Sequence, residues 1–367
     1  MTDESTSESA PDGPRRRAVP LWKQRRYQVG AAAAAVVILI GAIAFAAQGD
    51  DDRDPSTTSL ASSTSATTVA RTTTTVYSGP FAPLTGLPDP TGAVQGRAAM
   101  TVKIDNTLRE GPKRGVDQAD VVYEEVVEGG LTRLAAIFHS KVPDAIGPIR
   151  SVRLTDQAIV RPIGGIFVYS GGARYAEDSI ATAPVVRIDE SGAGDAMYRD
   201  PDRRKPHNLF GRAAALFAFG GDPKPPPPLF SYRPAGESAT DGVPIREAYV
   251  GFDAGFDVTW NWDAASAAWH RTFRGEQEFV DGGAPIAPQN VIVQFVDYVG
   301  GSTPEAVVTG DGEVWVLTGG RAIAGRWQRA SPEDPGVLVD AAGSPILLTP
   351  GQTWVELPAI GYEFRVG

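Results

Sequence analysis

The sequence predicts an α+β protein: a layered N-terminal domain of sheet and helices, then a smaller, mostly β domain, with one transmembrane helix and a disordered stalk before them. Three observations predict this class. An uncharged run lies near the N-terminus, a Ser/Thr-rich tract follows it, and from Pro80 onward strand-like and helix-like segments mix without regular alternation. The predicted segments are a cytoplasmic tail at 1–28, an anchor at 29–47, a stalk at 48–79, an N-terminal domain at 80–221, a Pro-rich connector at 222–240 and a C-terminal domain at 241–367.

The anchor is the apolar run Val29–Ala47, "VGAAAAAVVILIGAIAFAA". Its residues in a helix would span roughly 28 Å, close to the hydrocarbon thickness of a bilayer. Basic residues precede it and "DDD" follows it, which predicts a single-pass plasma-membrane protein with its N-terminus in the cytoplasm and its domains outside. Two alternatives stay open: a signal peptide cleaved near Ala44-Phe45-Ala46, and a twin-arginine export signal at Arg25-Arg26. The folded part is exported under all three interpretations, whether the run is an anchor, a signal peptide or a twin-arginine signal.

Composition limits the stalk and the function. Residues 55–78 are rich in Ser and Thr with few large apolar side chains, so they bury too little surface to offset chain entropy. A formal charge of −10 argues against a nucleic-acid partner, since phosphate contacts need a clustered basic surface. The sequence contains no cysteine, which excludes disulfides, thiolate chemistry and Cys-linked lipid anchors within it.

The folded region begins with alternating apolar and polar residues at 98–106, which predict a strand. Residues 121–138 predict a hairpin with Gly129-Gly130 as a two-residue turn. A short buried strand at 164–172 is bounded by glycines. Helices are predicted at 154–163, 173–181 and 211–220. Beyond the prolines of 222–234, short alternating strands separated by Gly, Pro and Asp predict a small sheet or sandwich.

Four charged residues interrupt the predicted hairpin. With Gly129-Gly130 as the turn, Glu124, Glu128 and Arg133 share one face, and Glu125 lies on the other. One interpretation is a solvated outer face with weak cross-strand ion pairs. The other is the floor of a cleft that binds an anionic or sugar ligand, and paired carboxylates would also fit glycoside hydrolysis.

Two arginines follow in "GPIRSVR". On a turn, Arg150 and Arg153 would point the same way and suit carboxylate or phosphate oxygens; in a strand they would point to opposite sides. Ser170 begins a Ser-Gly-Gly turn whose backbone N–H groups suit an anion, although an ordinary glycine turn is the simpler interpretation. It does not fit a nucleophile elbow, because Val168 stands where that motif has Gly.

"RRKPHNLF" places His207 and Asn208 before a predicted helix. Asn208 is a natural N-cap residue, and His207 is either a general base or a structural side chain. The three histidines have no zinc-binding spacing, and no phosphate-binding loop or dinucleotide fingerprint is present. The sequence therefore predicts neither a metal nor a cofactor.

Several motifs in fixed order resemble the YerB-like family of exported bacterial proteins, which are often lipoproteins of unknown function. They are "PLTGLP", "TVKIDN", "QADVVYEEVVEGGLTRLAAIF", "GPIRSVR", "VYSGG" and "PHNLF", then "NVIVQF", "GRAIAGRW" and "LLTPGQTWVEL". The resemblance covers Pro83–Leu357 and implies a layered α+β fold in the cell envelope, with no known active site. Many relatives attach through a lipidated Cys; this sequence has none, so the run at 29–47 would replace it.

These observations predict a membrane-anchored extracytoplasmic binding or scaffold module whose partner is a cell-wall polymer or an envelope protein. The alternatives are a metal-independent hydrolase of cell-wall glycan, with Glu124 or Glu128 as acid/base, and a purely structural domain. The candidate ligand-binding residues are Glu124, Glu128, Arg133, Arg150, Arg153, Ser170, His207 and Asn208.

Overall fold

Strands dominate the part of the chain that the computed structural model describes, residues 77–107, 111–220, 223–252 and 255–367. This described part is mostly β, and its helices are fewer and shorter than an α+β class implies. The predicted tail, the anchor and stalk residues 48–76 lie outside the described residues. Within the described ranges, no helix is long and apolar enough to cross a bilayer.

The elements follow the predicted order through the first half of the folded region. The helices are α1 Leu154–Val160, α2 Arg174–Ile180 and α3 Ala213–Phe217. The strands are β1 Met100–Asp105, β2 Val121–Val126, β3 Thr132–Phe138, β4 Ile166–Val168, β5 Val186–Ile188, β6 Met197–Arg199, β7 Leu209–Gly211, β8 Val243–Pro244, β9 Glu247–Val250, β10 Val258–Asp263, β11 Ala268–Phe273, β12 Glu276–Gln277, β13 Asn290–Gln294, β14 Asp297–Val299, β15 Glu305–Val307, β16 Gly310–Thr318, β17 Arg321–Arg329, β18 Val337–Asp340, β19 Thr353–Leu357 and β20 Phe364–Val366.

One large sheet joins strands from both halves of the sequence. Its order among the described residues is β18-β17-β16-β13-β19-β2-β3-β1-β4-β5, with β8 also paired to β17. The junction is β19, which pairs in parallel with β13 on one side and with β2 on the other. A smaller sheet has the order β12-β11-β10-β9-β20, and β6-β7 and β14-β15 form two-stranded ribbons.

The two faces of the large sheet are covered by different layers. Val102 and Leu134 lie on the face that packs against the smaller sheet, where Trp354 meets Trp260 edge to face at 5.5 Å between ring centroids. On the opposite face, Ile159 of α1 belongs to a second buried cluster. Successive strand residues point to opposite faces, so both sets of side chains are buried.

The β2–β3 hairpin has a different register from the predicted one. Val126 pairs with Thr132 and Glu125 pairs with Arg133, so the connection is a five-residue loop that contains a 3-10 turn at Glu128–Gly130. Residues directly opposite each other share a face, so Arg133 lies on the face of Glu125 and Glu124 lies on the other. The prediction that Glu124, Glu128 and Arg133 share a face was wrong, because the two positive-φ glycines fit the longer loop as well as a two-residue turn.

Candidate functional site

A group of polar side chains lies on the α1 side of the large sheet, where β1 ends and β3 begins. Asp105 and Arg133 are register partners there. The segment after Ile149 runs beside them, because Arg150 N–H donates to the Lys103 carbonyl at 2.9 Å and Ser170 N–H donates to the Arg150 carbonyl at 2.9 Å. These contacts bring Arg133, Arg150 and Arg153 into one region, which we call the arginine cluster.

Arg133 is the buried member of the cluster, with 6% of its surface exposed. Its Nη1 donates to the Ser151 carbonyl at 3.2 Å, and its Nε has no hydrogen-bond partner among the described residues. No described carboxylate forms an ion pair with it. Burial, followed by the charges of Arg153 and Arg150, lowers the pKa of Arg133 to about 10. The charges of Asp105 and Glu128 act in the opposite direction, but neither carboxylate forms an ion pair with Arg133. The guanidinium is therefore still charged at neutral pH, desolvated and without a directly paired carboxylate among the described residues.

The other two arginines each have a carboxylate partner. Arg150 Nη1 pairs with Asp105 Oδ2, and Arg153 Nε pairs with Glu128 Oε2 at 2.6 Å. Burial raises the pKa of Glu128, but a hydrogen bond from its own backbone and the charge of Arg153 outweigh burial and lower it. Arg150 and Arg153 are thus paired with carboxylates, and Arg133 is the member of the cluster whose positive charge has no paired carboxylate among the described residues. An anionic oxygen is the chemical group that a guanidinium in this state would bind.

His207 is held against the cluster by Asp105. The His207 Nδ1 to Asp105 Oδ2 distance is 2.5 Å, and Arg150 Nη1 lies 3.0 Å from the same ring nitrogen. Because an ionised carboxylate only accepts hydrogen bonds, we assign the proton to Nδ1, which leaves the Nε2 lone pair available. No described residue hydrogen-bonds Nε2. The buried Asp105 Oδ1 also lacks a partner within the described part of the chain.

Ser170 and Asn208 differ in their relation to the cluster. Ser170 Oγ lies 3.4 Å from Ser151 Oγ, next to the carbonyl that Arg133 and Arg153 share. Asn208 is buried elsewhere: its Oδ1 accepts from Arg199 Nη1 at 2.7 Å. The prediction that Asn208 caps a helix was wrong, because β7 begins at the next residue and α3 begins only at Ala213.

Glu124 lies on the far face of the sheet, away from the arginine cluster. It is fully buried, its Oε2 pairs with Arg271 Nη2 at 2.7 Å, and its Oε1 accepts from Asn106 Nδ2 at 2.8 Å. Arg271 also pairs with Glu278, and Glu356 is the β19 register partner of Glu124. The interpretation of Glu124 as a cleft residue was therefore wrong, since the smaller sheet covers this face.

Sequence reasoning missed two buried polar groups. One is Arg271 with Glu278 and Glu356. The other is Lys103, whose Nζ pairs with Glu125 and, at 2.8 Å, with Asp156. The available signal was a charged residue between apolar ones in each strand, but that pattern is the same for a solvated face. Among the described residues, no cluster of three or more His, Asp or Glu side chains is suited to a metal ion.

We expect Glu356→Gln to stabilise the protein at alkaline pH relative to wild type. Burial raises the pKa of Glu356 well above its usual value of 4.5, and the neighbouring Glu124 carboxylate raises it further. An acid with a raised folded-state pKa contributes stability below its unfolded pKa, and that contribution is lost as pH rises toward the folded pKa. Gln mimics the protonated acid at every pH, so it avoids this loss.

Urea unfolding of both proteins at about pH 5 and about pH 8 measures this effect. The free energy of unfolding of the variant minus that of wild type should be at least about 1 kcal/mol larger at about pH 8 than at about pH 5. The same difference between the two proteins at both pH values would show that Glu356 ionises normally in the fold.

Both halves of the folded region match models of a known protein family. Residues 84–222 match the family model described as "Protein of unknown function (DUF3048) N-terminal domain", and residues 248–355 match the corresponding C-terminal domain. The Bacillus subtilis (strain 168) protein YerB, provisionally named a lipoprotein, is 26% identical over 307 residues, which cover 75% of this chain and 85% of the relative. A crystal structure of YerB from Bacillus subtilis has the same fold, with a TM-score of 0.68 at 21% identity, over 78% of this chain and 99% of that one.

Proposed function

Because the chain belongs to the YerB-like family and carries its two DUF3048 domains, we propose that it is an extracytoplasmic protein of the cell envelope that binds a monoanionic oxyanion group at the arginine cluster. A carboxylate or a phosphodiester has this chemistry. The provisional lipoprotein name of the relative supports the location. This sequence has no Cys for a lipid, so in this proposal the apolar run at 29–47 anchors the protein as a single-pass segment with its N-terminus in the cytoplasm.

The observation that carries the binding proposal is the state of Arg133. A buried charge without a partner is unfavourable. Arg133 Nε is buried and has no hydrogen-bond partner among the described residues, so a ligand oxygen that reached it would supply both a hydrogen bond and a negative charge. Arg150 and Arg153 are already oriented by Asp105 and Glu128, so little ordering would be needed for them to contact the same group.

The glycan-hydrolase alternative has no specific support in the site. A glycosidase places two carboxylates on one cleft, and its general acid needs a raised pKa. Glu124 is fully buried on the other face of the sheet, and the pKa of Glu128 is lowered. The binding role therefore remains the function that the geometry favours. In this proposal the ligand belongs to an envelope component, either a polymer or a protein.

Titration calorimetry of the full chain with diethyl phosphate and with acetate tests the binding proposal. We expect Arg133→Gln to weaken binding by about 10- to 100-fold, which corresponds to the loss of a charge-assisted hydrogen bond. We expect its free energy of unfolding to change by no more than about 1 kcal/mol, since no carboxylate loses a partner.

Arg329→Gln is the matched control, because Arg329 is half-buried, donates to the Ala158 carbonyl at 2.7 Å and lies outside the cluster. Its affinity for both probes should equal that of wild type. Binding of neither probe by wild type, or equal binding by Arg133→Gln, would contradict the proposal.

A further inference from the structure

Asp105 and His207 form an arrangement at the arginine cluster that anion binding alone does not need. We propose that His207 is a general base that activates water for hydrolysis of a phosphodiester held by the cluster. This inference rests on the proposed function, because the arginines supply the binding step. It goes further in assigning a reaction and in selecting the phosphodiester over the carboxylate.

The first support is the orientation of the imidazole. Asp105 is fully buried, and its Oδ2 contacts both Arg150 and His207 Nδ1. A carboxylate at Nδ1 fixes the tautomer and turns the Nε2 lone pair away from itself, which is the arrangement that makes a histidine a proton acceptor. Asp105 is thus a positioning residue, and His207 is the group that would touch the reacting water.

The second support is the proximity of base and anion site. Arg150 Nη1 lies 3.0 Å from the imidazole, and Asp105 is the register partner of Arg133. The His207 and Arg150 side chains are 18% and 14% exposed, so both are open to a ligand from solvent. An oxyanion on the guanidiniums would therefore lie near the Nδ1 side of the ring, and in this inference the attacking water bridges from Nε2 to its phosphorus.

The third support is the absence of a better nucleophile. Ser170 Oγ contacts Ser151 Oγ and no described base. Thr107 Oγ1 lies 3.4 Å from His207, but it faces Nδ1, the nitrogen to which the proton is assigned, so neither hydroxyl is activated. Water activated by Nε2 needs no further protein group. A bound carboxylate offers no comparable reaction, whereas a monoanionic phosphodiester presents an electrophilic phosphorus.

The reaction balances without a further reactant. The water oxygen bonds to phosphorus while Nε2 takes one of its protons, and the ester P–O bond breaks. The imidazolium then returns the proton to the departing alkoxide oxygen, which leaves as an alcohol. The other product is a phosphomonoester, and His207 is neutral again. The arginine cluster stabilises the charge that develops on the non-bridging oxygens.

Hydrolysis of bis(p-nitrophenyl) phosphate by the full chain tests the inference, with release of p-nitrophenolate as the readout. We expect turnover by wild type and a loss of at least about 100-fold in His207→Ala, with partial recovery on addition of free imidazole. The His207→Ala protein should still bind diethyl phosphate.

His270→Ala is the control. His270 is another histidine with a ring nitrogen near an aspartate, since its Nε2 lies 3.7 Å from Asp263 Oδ2, and it lies outside the cluster. Its rate should match wild type. Wild-type protein that binds diethyl phosphate but hydrolyses nothing would overturn this inference alone, and so would full activity in His207→Ala. Failure of wild type to bind diethyl phosphate would instead overturn the proposed function.

Discussion

Replacement of Arg271 by Met is expected to lower the free energy of unfolding by about 3–5 kcal/mol, because it leaves buried carboxylates without their cation. Arg271 is fully buried and pairs with both Glu124 and Glu278. Its guanidinium also lies 4.7 Å from the centroid of the Phe273 ring. Burial lowers the pKa of Arg271, but Glu124, Glu278 and Glu356 together raise it above its usual value, so the cation persists.

Urea unfolding at neutral pH measures the effect of Arg271→Met. The matched control is Arg326→Met, since Arg326 pairs with Asp311 on the surface, where the two side chains are 56% and 57% exposed. That change should alter stability by less than about 1 kcal/mol. If Arg271→Met were as stable as Arg326→Met, the buried network would not hold the two sheets together.

Replacement of Lys103 by Met should have an effect of similar size, about 3–5 kcal/mol, on the other face of the large sheet. Lys103 is fully buried between Glu125 and Asp156. Burial already raises the pKa of Glu125, Lys103 counteracts that rise, and Asp156 adds to it. Without the lysine, two buried carboxylates would face each other with no cation between them.

The sign of the pH dependence follows from that raised pKa. An acid with a raised folded-state pKa stabilises the fold below its unfolded pKa and loses this contribution as pH rises. The free energy of unfolding that Lys103→Met loses relative to wild type should therefore be smaller at about pH 5 than at about pH 8. The double variant Lys103→Met, Glu125→Gln should recover part of the loss at the higher pH. A deficit that is independent of pH and is not relieved by Glu125→Gln would contradict this account.

Local patterns were sufficient to predict several elements of the first half. Alternation predicted β1, and the helix-like segments at 154–163 and 173–181 contain α1 and α2. The register of the β2–β3 hairpin was not predictable in the same way, because two consecutive glycines accept more than one loop length. The observed register differs from the predicted one by one residue, and this difference places Arg133 on the face of Glu125.

Burial depended on contacts between residues distant in sequence. Lys103 and Glu124 stand in alternating strands that read equally well as half-exposed, and only α1 and the smaller sheet decide that both are buried. The insertion of β19 between β13 and β2 also depends on contacts between residues distant in sequence, and no local pattern in these strands predicts it. The predicted domain boundaries at the Pro-rich connector remain a prediction.

The candidate site was predictable in part. The structure brings Glu128, Arg133, Arg150, Arg153, Ser170 and His207 into one region and leaves Glu124 and Asn208 outside it. Asp105 was not singled out, although it links Arg150 to His207. Nothing in "TVKID" separates this aspartate from an ordinary strand-end residue, and its partners come from two later segments of the chain.

The most direct test of the central claim is a crystal structure of the full chain grown with diethyl phosphate. The account predicts a phosphate oxygen within about 2.7–3.2 Å of Arg133 Nε, with Arg150 and Arg153 turned toward the same group. The result that would contradict it is an Arg133 that contacts no phosphate at saturating ligand and instead pairs its Nε with Asp105 Oδ1.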